Sequence, residues 1–202
     1  MSDASLQHWR EGVGAYNTGN VQLAIQEFKA AAPSKGVLFN LGVSTAKMGD
    51  NQTAIRHFDE VIQMDPNLGV AYLTRGACKH HERMYDAAIK DYDQALNSVG
   101  ERVGLDYSSE GLQFEMHRVD LLFNRALALK ELGRVSEAQA DAARARQLVD
   151  AKTMSRQPAL EKLANQLSAL SLAQTGAAPA PPPPASSAYA AGFTQPPAPR
   201  AP

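Results

Sequence analysis

The sequence has a single cysteine and no excess of either charge. Because Cys78 stands alone among 202 residues, an internal disulfide framework and a four-cysteine zinc site are both excluded. Lysine and arginine number 20 against 21 aspartate and glutamate, which gives a formal net charge of −1. Without a basic excess there is no electrostatic reason to bind nucleic acid or anionic lipid, and we expect no nucleic-acid partner.

Long apolar runs are also missing. No stretch of about 18 apolar residues occurs without an interrupting proline, so the sequence predicts no membrane-spanning helix. The residues from Met1 to Ser5 lack the basic and apolar segments of a secretory signal. We therefore expect a cytoplasmic protein.

Proline is scarce in most of the chain and crowded at one end. Only Pro33, Pro66 and Pro158 precede residue 173, and the other nine of the 12 prolines follow it. Such a composition cannot bury enough apolar area to order the chain, so 173–202 is predicted to be a disordered Pro/Ala-rich tail. Its segment from Pro196 to Arg200 is a weak candidate ligand for an SH3 domain.

Residues 1–172 are predicted to be helical and repetitive. A small residue is followed by alanine 12 positions later, by an aromatic residue four beyond that, and by a small apolar residue three further on. The copies are Gly12, Ala24, Phe28, Ala31; Gly42, Ala54, Phe58, Val61; Gly76, Ala88, Tyr92, Ala95; and a degenerate Ala126, Ala138, Ala142, Ala145. This is the pattern of tetratricopeptide repeats, each of which is a pair of antiparallel helices.

The pattern predicts an all-α superhelix of four helix pairs. The small residues allow close helix approach, and we expect the aromatic residue to fill the gap to the next repeat. The third and fourth copies are 50 residues apart, 16 more than the 34-residue period, which predicts an insertion at about 97–112. This insertion is either a short hairpin or a long loop. An apolar stripe at about 158–172 predicts a capping helix, with a partner-binding helix as the alternative.

No arrangement of residues predicts catalysis or a metal site. The chain lacks a Gly-rich phosphate loop, a Gly-x-Ser-x-Gly elbow and a His-Glu-x-x-His motif. His80 and His81 are adjacent, so on a helix they point about 100° apart and cannot share a metal. Cys78 and His81 form one ligand-like pair, but a buried thiol on a packed helix is favoured. We therefore expect no enzyme, no metal and no cofactor.

The residues around the insertion are the most distinctive. They are Leu105-Asp106-Tyr107, Gly111-Leu112-Gln113-Phe114 and Leu121-Leu122-Phe123-Asn124. Together with Phe39-Asn40-Leu41-Gly42, they resemble the N-terminal domain of the NADPH-oxidase activator family over about residues 5–150. The repeat residues are generic, whereas the Asp-Tyr…Gly-Leu-x-Phe stretch beside an insertion is specific.

The resemblance implies four repeats with a hairpin-like insertion between the third and fourth. It also implies that the insertion and the neighbouring inter-repeat loops bind a Rac-type small GTPase in its GTP form. The complex would then activate the flavocytochrome of a superoxide-generating NADPH oxidase, together with its cytosolic subunits. The cytoplasmic protein would be recruited to the membrane through these partners.

Matching the family residue by residue gives seven candidate GTPase-binding residues: Lys35, Asp65, Asn67, Arg102, Gly104, Leu105 and Asp106. Asp65 and Asp106 match acidic contacts of the family. Lys35 stands where a relative has serine, Asn67 where relatives can have histidine, and Arg102 two places from the family's arginine. The residues after the repeats contain no Val-rich run like the family's activation segment.

A generic adaptor that binds a peptide in its concave groove, as a co-chaperone does, is the alternative function. Such clamps hold acidic peptide ends with lysine, arginine and asparagine on the inner helices. The predicted inner positions are Trp9, Val13, Asn40, Val70 and Thr74. They include one amide and no cation, which disfavours an acidic peptide and leaves an apolar one.

Overall fold

The computed structural model describes residues 2–107 and 114–175. The predicted tail, apart from its first three residues, lies outside the described residues, and so does the candidate SH3 ligand within it. The Gly-Leu-Gln part of the insertion, residues 111–113, lies outside them as well.

The described chain is a series of antiparallel helix pairs. Their bounds are α1 Asp3–Asn17 with α2 Val21–Ala30, α3 Lys35–Lys47 with α4 Asn51–Met64, α5 Gly69–His81 with α6 Tyr85–Val99, and α7 Arg118–Glu131 with α8 Val135–Gln147. A last helix, α9 Gln157–Thr175, packs against α8. The prediction of an all-α tetratricopeptide superhelix of four helix pairs is therefore confirmed.

The turn inside each helix pair needs a residue with positive φ. Gly19, Gly49 and Gly133 supply it in three pairs, with φ of 84°, 86° and 73°, and Arg83 takes the same place in the third pair with φ 59°. Glycine adopts this region without steric cost. Asn20 then caps α2, because its side chain accepts a hydrogen bond from the Leu23 N–H. The loop between α1 and α2 is short because the turn residue, Gly19, is followed directly by the cap residue, Asn20.

The small residue of each repeat lies directly beneath the aromatic ring of the same repeat. A Cβ added to Gly42 would come within 2.6 Å of the Phe58 ring, and the first and third repeats show the same close approach. The ring therefore packs on its own repeat's first helix, not only toward the next repeat as expected. In the fourth repeat Ala142 replaces the aromatic residue, which leaves room for Ala126 in place of glycine.

This contact predicts opposite effects for two glycine-to-alanine substitutions. Gly42→Ala should lower the free energy of unfolding by about 1–3 kcal/mol, because the new methyl group overpacks against Phe58. Gly14, also in a helix, has no atom within 4 Å of its added Cβ. Gly14→Ala should raise stability by about 0.5–1 kcal/mol through reduced backbone entropy. Urea unfolding of both variants tests this, and a stable Gly42→Ala would show that the ring moves freely.

The apolar core runs through most of the described chain. One cluster extends from Leu38 in the second repeat to Leu167 in α9. The first repeat packs with the start of α3 in a separate cluster that contains Phe28 and Val37. In α9, Leu160, Leu163 and Leu167 are buried against the fourth repeat. α9 therefore covers the apolar end of the array, as a capping helix does.

The insertion is a two-stranded hairpin. Its strands are β1 Gly104–Asp106 and β2 Glu115–His117, which pair antiparallel. Helix α6 continues through residues 97–99 and ends at Gly100, which has φ 57°. The described non-helical residues here are 100–107 and 114–117, whereas the predicted insertion was about 97–112, because α6 includes its first three residues. We call residues 100–107 and 114–117 the arm.

Candidate functional site

An ion pair links the first residue of α3 to the C-cap residue of α4. Lys35, the first residue of α3, places Nζ 2.8 Å from Oδ2 of Asp65. The other carboxylate oxygen of Asp65 accepts a hydrogen bond from the backbone N–H of Asn67 at 3.1 Å. The bond from Lys35, followed by that from Asn67, keeps the pKa of Asp65 below its ordinary value although burial opposes this. Asp65 is therefore ionised and fixed in orientation.

Tyr107 fastens the arm to the start of α5, just after the loop that follows α4. Its side chain is buried and interacts with the Ser98 side chain and the Val70 backbone. Burial is the main cause that raises the pKa of the Tyr107 hydroxyl, and the charges of Arg102 and Asp65 also act on it. The phenol therefore lies between the end of α6, the start of α5 and the arm.

The register of the hairpin determines which arm residues face solvent. Leu105 lies opposite Met116 and Asp106 opposite Glu115. Met116 is fully buried, whereas Asp106 is exposed. Gly104 approaches the partner strand so closely that a Cβ there would lie 2.8 Å from the Met116 carbonyl oxygen. Gly104 therefore allows the strands to meet, while Asp106, two residues later in the same strand, is exposed to solvent.

Arg102 is directed toward its own chain. Its Nε donates to the carbonyl oxygen of Val99 at 3.0 Å, and one terminal nitrogen donates to that of Ser98 at 2.8 Å. These carbonyls belong to the last turn of α6, whose oxygens lack helical partners. Arg102 therefore closes the helix and positions the base of the arm, with only part of its guanidinium left for a partner.

Two further ion pairs support the arm. Arg118, at the start of α7, lies 2.8 Å from Glu101 at the arm's beginning. Lys152, in the segment between α8 and α9, lies 2.9 Å from Glu115 on β2. The arm is thus held from both sides of its base, by α7 and by the segment that follows the fourth repeat.

The candidate residues lie along one side of the array. We call this surface the loop edge and define it as residues 35, 65–67 and 102–106. Asp65 contacts both Lys35 and Asn67, and Tyr107 packs the arm against the start of α5, which follows the loop after α4. A depression of about 360 Å³ opens beside them, lined by Pro66, Asn67, Tyr72, Gln94, Asn97 and Ser98. The loop edge therefore combines charged, amide and backbone groups with a concave neighbour.

The groove formed by α1, α3 and α5 is mainly apolar. One cavity of about 150 Å³ is lined by Trp9, Val13, Tyr16, Asn17, Phe28, Asn40, Val43 and Phe114. A second, of about 310 Å³, is lined by residues that include Val43, Thr74 and Cys78. Of the predicted inner positions, Val70 is fully buried and lines neither cavity. Phe114 comes from the arm, and its ring centre lies 6.4 Å from that of Phe39. The arm therefore borders the groove.

Sequence reasoning missed two arginine–aspartate clusters. Arg125 on α7 donates two hydrogen bonds of 2.7 Å to Asp141 on α8, and a third to Asp93 on α6. Arg75 binds Asp91 and Asp59 in the same way one repeat earlier. Each arginine thus ties its own repeat to the preceding one. Both clusters share a spacing of 16 residues between arginine and its bidentate aspartate, which was a usable signal.

Groups that could hold a metal or react as nucleophiles are few among residues 2–107 and 114–175. The ligand atoms of His8, Glu11 and Glu27 lie within 4.8 Å of one another, and His8 already pairs with Glu27 at 2.7 Å. Cys78 is buried, and burial raises the pKa of its thiol to about 11. Burial therefore disfavours the reactive thiolate form.

Among residues 2–107 and 114–175, no helix is both long enough and apolar enough to cross a bilayer.

Known proteins are similar to this chain in sequence and in fold. Residues 37–68 match the tetratricopeptide-repeat family. The chain is 32% identical over 138 residues to mouse neutrophil cytosol factor 2, covering 67% of this chain and 26% of that protein. It is 28% identical over 134 residues to a Dictyostelium discoideum NADPH oxidase activator, covering 66% and 22%. The chain thus spans about a quarter of the length of these relatives.

The fold also matches solved structures. MamA from Desulfovibrio magneticus RS-1 superposes with a TM-score of 0.62 at 15% identity, covering 88% of this chain and 96% of that one. At this identity the likeness supports the fold alone.

Proposed function

This chain is a tetratricopeptide-repeat domain that is homologous to oxidase activators over two thirds of its own length, and we propose that it is a non-enzymatic adaptor. It binds a Rac-type small GTPase in its GTP form through the loop edge and helps to activate a superoxide-generating NADPH oxidase. The observation that carries the proposal is the packing of Tyr107, which directly follows β1, against the start of α5, which directly follows the loop after α4. Two segments that the family resemblance assigns to GTPase binding are neighbours there.

The chemistry of the loop edge suits a small polar interface. The carboxylates of Asp65 and Asp106 accept hydrogen bonds only, and Asn67 can both donate and accept. A GTPase surface near its nucleotide switch offers backbone amides and polar side chains to such groups. Because loops and a short arm supply the contacts, the interface should bury at most about 1,200 Å² and bind with roughly micromolar affinity.

The proposed partners follow from the same resemblance. Besides the GTPase, they are the oxidase flavocytochrome and its cytosolic subunits, and an SH3 domain for the Pro-rich tail. The adaptor is cytoplasmic and reaches the membrane through these partners. It needs no cofactor, because its role is to bind and position other proteins.

The groove-binding adaptor remains the rival function, and its cavities near Trp9 and Thr74 favour an apolar peptide. Phe114 of the arm lines the cavity near Trp9, which narrows the space for an extended peptide. A groove adaptor would bind irrespective of the nucleotide on any GTPase.

Titration against a GTPase in two nucleotide states separates these functions. We expect isothermal titration to give a roughly micromolar dissociation constant with Rac bound to a non-hydrolysable GTP analogue, and at least tenfold weaker binding with the GDP form. Asn40→Ala, in the groove, serves as the matched variant and should bind as the wild type does. Equal binding of both nucleotide forms, or loss of binding in Asn40→Ala, would contradict the proposal.

A further inference from the structure

A lysine at the beginning of a helix is unusual on electrostatic grounds. The amino end of a helix carries partial positive charge, so cations there are unfavourable and anions favourable. Lys35 is nevertheless the first residue of α3, where Ser34 supplies the cap. The carboxylate of Asp65, 30 residues further on, lies 2.8 Å from the Lys35 ammonium. Its negative charge offsets the charge of the lysine and the partial positive charge of the helix end.

Both members of the pair are partly withdrawn from solvent. The side chain of Lys35 is 26% exposed and that of Asp65 is 29% exposed. The oxygen of Asp65 that Lys35 does not bind accepts the Asn67 N–H. Each carboxylate oxygen of Asp65 is therefore engaged inside the protein before any partner arrives.

We infer that Lys35 acts as an internal competitor for Asp65 and so limits the affinity of the loop edge for its partner. This inference rests on the proposed function. A GTPase that places an N–H donor or a cation at Asp65 must displace the Lys35 ammonium or share the carboxylate with it. A chain with serine at position 35 would present the same carboxylate without this competition.

The size of the effect follows from the exposure of the pair. Partly exposed ion pairs contribute about 0.2–1 kcal/mol, which corresponds to about a two- to fivefold change in affinity at the upper end. The competitor thus tunes the affinity and does not abolish binding. Lys35 also favours a partner that can place an acceptor next to the lysine ammonium while it binds the Asp65 carboxylate.

The test is a double-mutant cycle in the full chain. Isothermal titration with Rac bound to a GTP analogue should give about two- to fivefold tighter binding for Lys35→Ser than for the wild type. Asp65→Asn should weaken binding more in the Lys35→Ser background than in the wild type, because only there is the carboxylate uncontested. Lys29→Ala removes an equal charge from the exposed surface of α2 and should leave the affinity unchanged.

A second readout examines the ion pair without any GTPase. The carboxyl group of Asp65, followed by NMR during a pH titration, should show a higher pKa in Lys35→Ser than in the wild type. Unchanged or weaker binding of Lys35→Ser, additive effects in the cycle, or an unchanged Asp65 pKa would each overturn the inference alone. Absence of binding by the wild type would overturn the proposed function, and the inference with it.

Discussion

Replacing Arg125 with alanine should lower the free energy of unfolding by about 3–5 kcal/mol, the cost of removing one partner from a buried ion pair. Asp141, whose side chain is 4% exposed, receives two side-chain hydrogen bonds from Arg125. Its carboxylate would remain buried without the guanidinium that compensates its charge. Domains of this kind are stable by only about 5–15 kcal/mol, so the variant should lose a substantial part of its stability.

Urea unfolding measures this loss, and an exposed ion pair provides the control. Arg134 and Glu137 also form a bidentate pair, at 2.7 Å, but their side chains are 43% and 58% exposed. Because solvent screens so exposed a pair, Arg134→Ala should cost far less stability than Arg125→Ala. Adding Asp141→Asn to Arg125→Ala removes the uncompensated charge and should recover part of the loss. Equal costs for the two arginine variants would contradict the role of burial.

Replacing Asp106 with alanine should weaken binding of the GTP-loaded GTPase by at least about 30-fold. This follows because truncating one partner of a hydrogen-bonded charge pair that becomes buried costs about 2–5 kcal/mol. Starting from micromolar binding, the dissociation constant should rise to about 30 μM at the least and to millimolar values at the upper end of that range. Because Asp106 is exposed on β1, the circular dichroism spectrum and melting temperature should stay those of the wild type.

Glu101 is the matched acidic residue of the arm. Its side chain is 96% exposed and pairs with Arg118 at the arm's base, and an ion pair this exposed contributes little to holding the arm. Glu101→Ala removes the same charge and should reduce affinity much less than Asp106→Ala does. Asp65→Ala should weaken binding by a smaller factor than Asp106→Ala, because Asp65 is already shared with Lys35. If Asp106→Ala bound normally, the GTPase would have to contact another surface.

The repeats could be predicted because their signal is local and periodic. Gly42 and Phe58 belong to adjacent helices joined by a short turn, so their spacing in sequence reflects their contact in space. The same logic gave the length of the insertion. The start of the insertion depends on Gly100, whose positive φ ends α6. Because this stretch contains several glycines, the sequence does not indicate which of them ends the helix.

The site was less predictable because its contacts join distant parts of the chain. Nothing near Lys35 in the sequence indicates that Asp65 is its partner. Arg102 was expected to face a partner, but the free carbonyls at the end of α6 compete for its guanidinium. The partners of long charged side chains depend on which groups lie nearby in three dimensions. The contacts of small core residues follow from their positions on a helix, which the sequence shows.

The contact between Phe114 and Phe39 has a consequence for how the domain unfolds. In an ordinary solenoid each repeat touches only its nearest neighbours, so end units fray independently and unfolding is weakly cooperative. Here a segment inserted after the third repeat packs on the second, and one apolar cluster runs on to α9. Opening the second, third or fourth repeat would also remove contacts on which the arm packs. Repeats two to four and α9 should thus behave as a single cooperative unit, with the first repeat as the part that opens separately.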